Sequence, residues 1–265
     1  MIKIIKALTP PVVFDVLKKL FGQKSYGFSG NYKTWAEAKS QTGGYDNPAI
    51  LEQVKIAALK IKSGEAVYER DSVLFDQIQY SWPLLSGLLW IAAQKKGNLS
   101  VLDFGGALGS TYFQNRTFIS DLYVTWDVVE QHHFVEFGKK ELQDGRLSFF
   151  YTIEDCLKEH SPSTLLLSGV IQYLEEPFKF LTEALDKGFE YILLDRTPFA
   201  NDKKNRITIQ EVSPEIYAAS YAHWFFSEDQ FLNLFKGYDL IESFTSIDRQ
   251  TEIYYKGFIF KKRCS

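Results

Sequence analysis

Apolar positions change their period near residue 99. Before it they recur at helical spacing, and after it short apolar runs alternate with helical stretches. Asn47-Pro48 opens one helix, with Asn as the cap and Pro at the first helical position. Ile50, Val54, Ala57, Ala58 and Ile61 then share a face, and Gly64 ends the run. From Pro83 to Lys95, Leu84, Leu85, Leu88, Leu89 and Ile91 are apolar almost all round, which predicts a helix buried on more than one side. Further upstream, Val13, Val16, Leu17 and Leu20 fall at i, i+3, i+4 and i+7 beside Lys18 and Lys19, an amphipathic pattern. Residues 1–98 thus read as a mainly helical extension and cap, and 99–265 as the main domain.

In that domain Leu99 to Phe104, Leu122 to Val129, Leu147 to Tyr151, Thr164 to Ser168 and Tyr191 to Asp195 read as strands. Helices are predicted over His132 to Leu142, over Ile153 to Glu159, from Glu175-Glu176-Pro177, and from Ser227. Val101-Leu102 and Phe104 lack the alternation of a half-wet strand, as in a parallel sheet covered on both faces. Leu240 to Phe244 and Ile253 to Lys261 are joined without a helix and form an antiparallel pair. The expected fold class is α/β: a doubly wound, Rossmann-like, mostly parallel sheet ending in an antiparallel hairpin.

Candidate chemistry begins where the first of these strands stops, at Asp103-Phe104-Gly105-Gly106-Ala107-Leu108-Gly109. Glycines let main-chain N–H groups approach a ligand, and a helix starting near Gly109 aims its N-terminus at the same spot. The carboxylate of Asp103 repels a pyrophosphate but suits a cationic or amine-bearing nucleotide. This stretch resembles the first motif of class I S-adenosylmethionine-dependent methyltransferases, Asp/Glu-x-Gly-x-Gly-x-Gly, except that the middle glycine falls at Ala107 and Gly106 comes one place early. Tyr68-Glu69-Arg70-Asp71-Ser72, Val101 to Tyr112, Val129-Glu130-Gln131 and Asp195-Arg196-Thr197-Pro198 resemble more closely a small bacterial methyltransferase family associated with surface-polysaccharide biosynthesis. The resemblance covers most of the chain. It implies S-adenosylmethionine as cofactor and an oxygen on a sugar or glycan precursor as acceptor.

Glu130 ends the second strand, and a carboxylate about twenty residues past a glycine turn accepts hydrogen bonds from ribose hydroxyls. Asp127 competes for that role, but alternation with Val124, Trp126 and Val128 leaves it mid-strand. Asp155, after the third strand, either accepts from the adenine amine or caps its helix. The resemblance puts Ser168-Gly169 and the following Val170 to Tyr173 under the methionine part of the cofactor. Asp195 and Arg196, on the same rim, either form a structural ion pair or place and deprotonate an acceptor hydroxyl. His223 is either a base or a packed residue of an aromatic run. Tyr68 to Ser72 reads either as a solvated helix start or as a lid or ion pair near the site.

Composition narrows the classes. A hydrophobic content of 45% and a charged content of 24% suit a globular chain, and a net charge of −3 argues against a nucleic-acid partner. Two cysteines, Cys156 and Cys264, make no disulfide framework and fit a reducing, cytoplasmic setting. His132-His133 point different ways on a helix, so no metal site is expected. Pro10-Pro11 interrupts the apolar stretch and no small-residue cleavage site follows, which argues against a signal peptide, so residues 1–24 are expected either to pack on the domain or to contact a membrane surface or partner peripherally. The expected activity is methyl transfer to a small-molecule or glycan acceptor. Two alternatives remain: a nicotinamide-dependent (NAD) sugar-modifying oxidoreductase, or a non-catalytic methyltransferase-like module of polysaccharide assembly.

Overall fold

The computed structural model describes residues 26–43, 48–63, 68–70, 73–75, 78–212, 219–250 and 253–263. The strands in chain order are β1 (Gly27–Tyr32), β2 (Tyr68–Arg70), β3 (Val73–Phe75), β4 (Asn98–Phe104), β5 (Tyr123–Val129) and β6 (Leu147–Phe150). After them come β7 (Thr164–Ser168), β8 (Tyr191–Ala200), β9 (Arg206–Glu211), β10 (Ser220–Phe225), β11 (Tyr238–Gln250) and β12 (Ile253–Lys262). The helices begin with α1 (Trp35–Lys39), α2 (Pro48–Ser63), α3 (Trp82–Gln94) and α4 (Ser110–Ile119). They continue with α5 (His132–Phe137), α6 (Ile153–Glu159), α7 (Pro177–Asp186) and α8 (Glu228–Leu232).

The main sheet has seven strands in the order β11-β12-β8-β7-β4-β5-β6. β4 to β8 run parallel, while β12 pairs antiparallel with β8 and β11 antiparallel with β12. This is the Rossmann-like, doubly wound fold with a reversed terminal hairpin. One face buries Val101, Trp126, Val128, Leu166 and Leu193 against Leu84, Leu88 and Ile91 of α3. The other buries Leu102, Val129, Leu165, Leu167 and Ile192 against Leu181 of α7 and Phe231 of α8. The unbroken apolar runs of the strands follow from this two-sided cover, each fully buried Leu or Val stabilising the fold by roughly 1.5–3 kcal/mol. Gly87 lets α3 lie close on the sheet, since a Cβ there would come 2.8 Å from Leu193 Cδ2.

Two expectations change. Among the described residues before 99 helices predominate, but strands stand beside them: β1 joins β9 and β10 in a three-stranded antiparallel sheet, and β2 and β3 pair separately. Phe28 faces Gln210 in that register, so the cap is shared between the two ends of the chain. A strand as short and half-exposed as β1 takes its conformation from its distant partner, and its own sequence carries little signal. Second, β8 runs on past Asp195 to Ala200, and His223 lies inside β10. The amphipathic 1–24 segment, Asn47, Gly64, Asp71-Ser72 and Cys264 lie outside the described residues. None of the described helices is long and apolar enough to cross a membrane.

Candidate functional site

From β4 the chain moves outward through β5 and β6, then returns to β7 and β8 on the opposite side. Strand order therefore reverses between β4 and β7, and ligands of open α/β sheets bind at the carboxyl ends beside such a reversal. The loops after β4 and β7 touch there. Gly105 has φ +72°, and a Cβ on it would lie 2.3 Å from Val170 Cγ2. The loop contact itself thus demands a glycine, in addition to the expected ligand approach. Gly105 N donates to Val129 O at 2.9 Å, tying the turn to the end of β5.

Asp103 turns inward beneath this loop and is 1% exposed. Trp126 Nε1 donates to its Oδ2 at 3.1 Å, and a Cβ on Gly106 would lie 2.5 Å from its Cγ. Gly106 thus makes room for the carboxylate, while Ala107 adopts the left-handed φ of +50° at the place of the motif's middle glycine. Gly109, φ +88°, precedes the first residue of α4. Glu130 follows β5 directly, is half-buried, and accepts from Gln131 N. Burial pushes both carboxyls up to about 7, and the charge of Glu130 adds to the shift at Asp103.

On the other side of the reversal stand Ser168, Gly169, Asp195 and Arg196. Ser168 pairs in register with Asp195, and Gly169 N donates to Asp195 O at 3.0 Å. Asp195 is 1% exposed. Its Oδ2 accepts from Ser81 Oγ at 2.9 Å, and its Oδ1 from Ser246 Oγ at 2.6 Å and Arg196 N at 2.8 Å. Burial raises its pKa despite these donors. Such a carboxylate, saturated and enclosed, is not placed to take a proton from an acceptor, which corrects that half of the expectation. Arg196 has φ +55°. Asp195 and Arg196 together oppose the single residue Gly257, because Leu194 pairs with Phe258 and Thr197 with Lys256: a β-bulge.

The remaining candidates disperse. His223 is fully enclosed by the rings of Phe28, Phe225 and Tyr173, at centroid distances of 4.6, 4.8 and 5.3 Å. Neither ring nitrogen finds a hydrogen-bond partner, and burial drives its pKa down to about 3. An imidazole that weak is a poor base for a hydroxyl, so the packed alternative describes it here. Asp155 sits in the first turn of α6, where its N–H donates to Thr152 Oγ1 and its Oδ1 pairs with Lys158 Nζ at 2.8 Å. Thr152 is thus the cap of α6, with Asp155 N as its donor, and the Lys158 contact is an i,i+3 ion pair along the helix. Asp127 points to the face of the sheet opposite Asp103 and meets His160 Nδ1 at 2.7 Å. Among the described residues no three His, Cys, Asp or Glu side chains converge as metal ligands would.

No family model matches the chain, and no curated protein matches it either. Solved structures resemble it at low identity. The N-terminal domain of EvdMO1, crystallised in the presence of SAH and D-fucose, shares 12% identity at a TM-score of 0.49, over 80% of this chain and 97% of that one. The 1,6-didemethyltoxoflavin-N1-methyltransferase of Burkholderia thailandensis shares 12% at a TM-score of 0.46, over 91% and 96%. The magnesium protoporphyrin IX methyltransferase of Synechocystis PCC 6803 shares 12% at a TM-score of 0.44, over 98% and 96%. Likenesses of this depth do not assign an activity.

Sequence reasoning missed Trp126 as the partner of Asp103, Val170 as the wall against Gly105, and Ser81 and Ser246 as the partners of Asp195. The serines lie 114 and 51 residues from Asp195, and an isolated serine carries no pattern that betrays its partner. Trp126 did carry a signal: it alternates with Val124 and Val128 on the face to which Asp103 also points.

Proposed function

We propose that the protein is an S-adenosylmethionine-dependent methyltransferase acting on an acceptor oxygen, with a sugar or glycan precursor as the acceptor class. The observation that carries this reading is the pair of carboxylates, Asp103 and Glu130, at the carboxyl ends of β4 and β5 around a glycine loop. A desolvated rim of two carboxyl groups suits a nucleoside with ribose hydroxyls and cationic groups, which favour the ionised carboxylates, and opposes the pyrophosphate of a dinucleotide. Glu130 would hold the ribose. The loop from Gly105 to Gly109, supported by Asp103, would hold the amino-acid part together with Ser168 and Gly169. The reversed hairpin of β11 and β12 also favours this reading over the nicotinamide one, whose sheets usually close with a parallel strand.

S-adenosylmethionine supplies a methyl already made electrophilic by its sulfonium. The chain's own task is then to align the acceptor oxygen and exclude water. Asp195 is buried and engaged and His223 too weakly basic, so the reading assigns transfer to alignment. The C–O bond would form as the methyl–sulfur bond breaks, S-adenosylhomocysteine would leave as the neutral thioether, and the hydroxyl proton would pass to solvent. Calorimetry with S-adenosylmethionine, S-adenosylhomocysteine and NAD tests the cofactor. Binding of the first two and not of NAD supports the proposal, and the reverse order sinks it. The sugar-oxygen acceptor rests on the family resemblance and is tested separately, by transfer of labelled methyl to glycan precursors.

A further inference from the structure

The bulge at Asp195-Arg196 is an unusual piece of backbone. A non-glycine residue at φ +55° inside a strand is strained and persists only where its surroundings over-determine it. Here they do. Arg196 N donates both to Asp195 Oδ1 at 2.8 Å and to Ser246 Oγ at 2.9 Å, and Arg196 O accepts from Gln172 Nε2 at 3.4 Å. Asp195 in turn ties in Ser81, at the start of α3, and Ser246 on β11. Three separate segments thus converge to hold one residue in one conformation. The bulge directs the side chain over Gly169, where a Cβ would lie 3.4 Å from Arg196 Cζ. Gly169 itself takes φ +68°. Its neighbour Val170 is the residue that touches Gly105 of the cofactor loop. The guanidinium therefore lies over the residue that follows β7, beside the loop that meets the proposed cofactor site.

We propose that Arg196 is the oxyanion-binding residue of the acceptor pocket, and that Asp195 is a positioning residue that holds it there. The acceptor would then carry a phosphate or carboxylate close to the hydroxyl that receives the methyl. A guanidinium matches both groups through paired, parallel N–H···O bonds, and its orientation matters more than that of a lysine ammonium. Gln172, which donates to Arg196 O, brings no charge of its own, and the buried Asp195 is the carboxylate whose pKa the guanidinium lowers. This inference rests on the methyl-transfer reading, so its test separates the two.

The protein is first saturated with S-adenosylhomocysteine and then titrated with glucose 1-phosphate, glucuronate and glucose as probes of phosphate, carboxylate and no charge. One or both anionic probes should bind at least about tenfold more tightly than glucose, and the better one names the anion. Arg196→Gly keeps the left-handed backbone without the guanidinium. It should lose that preference while its S-adenosylhomocysteine affinity stays within about twofold. Asp195→Asn retains an acceptor oxygen for the bulge and should keep the probe affinity, whereas Asp195→Ala should lose it. Should Asp195→Ala fail to fold, Ser246→Ala removes one donor to Oδ1 and serves the same comparison. Equal affinity for all three probes, or an unchanged preference in Arg196→Gly, overturns the proposal. Loss of the preference in Asp195→Asn overturns the positioning role. Failure of the wild-type protein to bind S-adenosylhomocysteine strikes the methyltransferase reading instead, and the probe titration without it still reports on Arg196.

Discussion

The loop after β4 and the bulge in β8 are built in opposite ways. The loop gathers Asp103, Gly105, Gly106 and Gly109 into one stretch, and its neighbour Glu130 comes from the adjacent strand. The bulge needs Ser81, Gln172 and Ser246, drawn from segments far apart in the chain. Both contain a non-glycine residue at positive φ, Ala107 and Arg196. At the first, local turn geometry explains the conformation; at the second, buried hydrogen bonds impose it. A glycine loop can be encoded locally, whereas a strained bulge in a strand is assembled from whatever the fold brings near.

The sharpest way to break that contrast is at the contact between the loops. Gly105→Val should lower stability by about 2–4 kcal/mol, from left-handed strain plus overpacking against Val170. Val170→Ala in the same chain should recover part of the melting temperature without restoring cofactor affinity. Full recovery of both would make the loop a packing element only. Glu130→Ala comes next, weakening the cofactor by about 1.5–3 kcal/mol, the range of a hydrogen bond to a charged group. Deoxyribose analogues should then lose little more, and normal binding by the mutant would move the ribose elsewhere.

Protonation gives a further handle. Asp103 and Glu130 keep a proton up to about pH 7 when folded, whereas the unfolded chain releases it near pH 4. The folded state therefore binds more protons in that window, and the free protein should lose stability as pH rises through it. A cationic cofactor prefers both groups ionised, so its affinity should rise between about pH 6 and 8. Asp103→Asn with Glu130→Gln should flatten both trends in melts and calorimetry. His223 works the other way: it stays neutral when folded down to about pH 3, so its contribution is lost as pH falls below about 6.5. His223→Phe should shallow the acid limb of the stability curve and change little at neutral pH. The smallest effect is expected from Ala107→Gly, a gain of at most about 1 kcal/mol in unfolding free energy, because relief of strain is offset by the freer unfolded chain.

Much of the main sheet is legible in the amino-acid pattern. β4, β5, β6 and β7 announce themselves as short apolar runs, and α3 as a helix apolar nearly all round, because burial on both faces leaves an unmistakable composition. The terminal hairpin is legible from the missing helix between its strands. The cap sheet is legible only in part. Gly27 to Tyr32 has mixed, half-exposed residues, and its pairing with β9 makes it a strand, whereas Arg206 to Glu211 buries Ile207, Thr208 and Ile209 and carries a short period-2 signal of its own.

Period, spacing and the steric freedom of glycine are properties of the chain alone, and they suffice to specify the α/β architecture and to mark the glycine loop and Glu130. What those residues do to one another is settled by the folded arrangement. It encloses His223 among rings, turns Asp127 toward His160, and surrounds Asp195 with donors that fix the Arg196 bulge. The reason is physical: burial and hydrogen-bond partnership depend on residues distant in the chain, and they determine whether a carboxylate or an imidazole can exchange a proton.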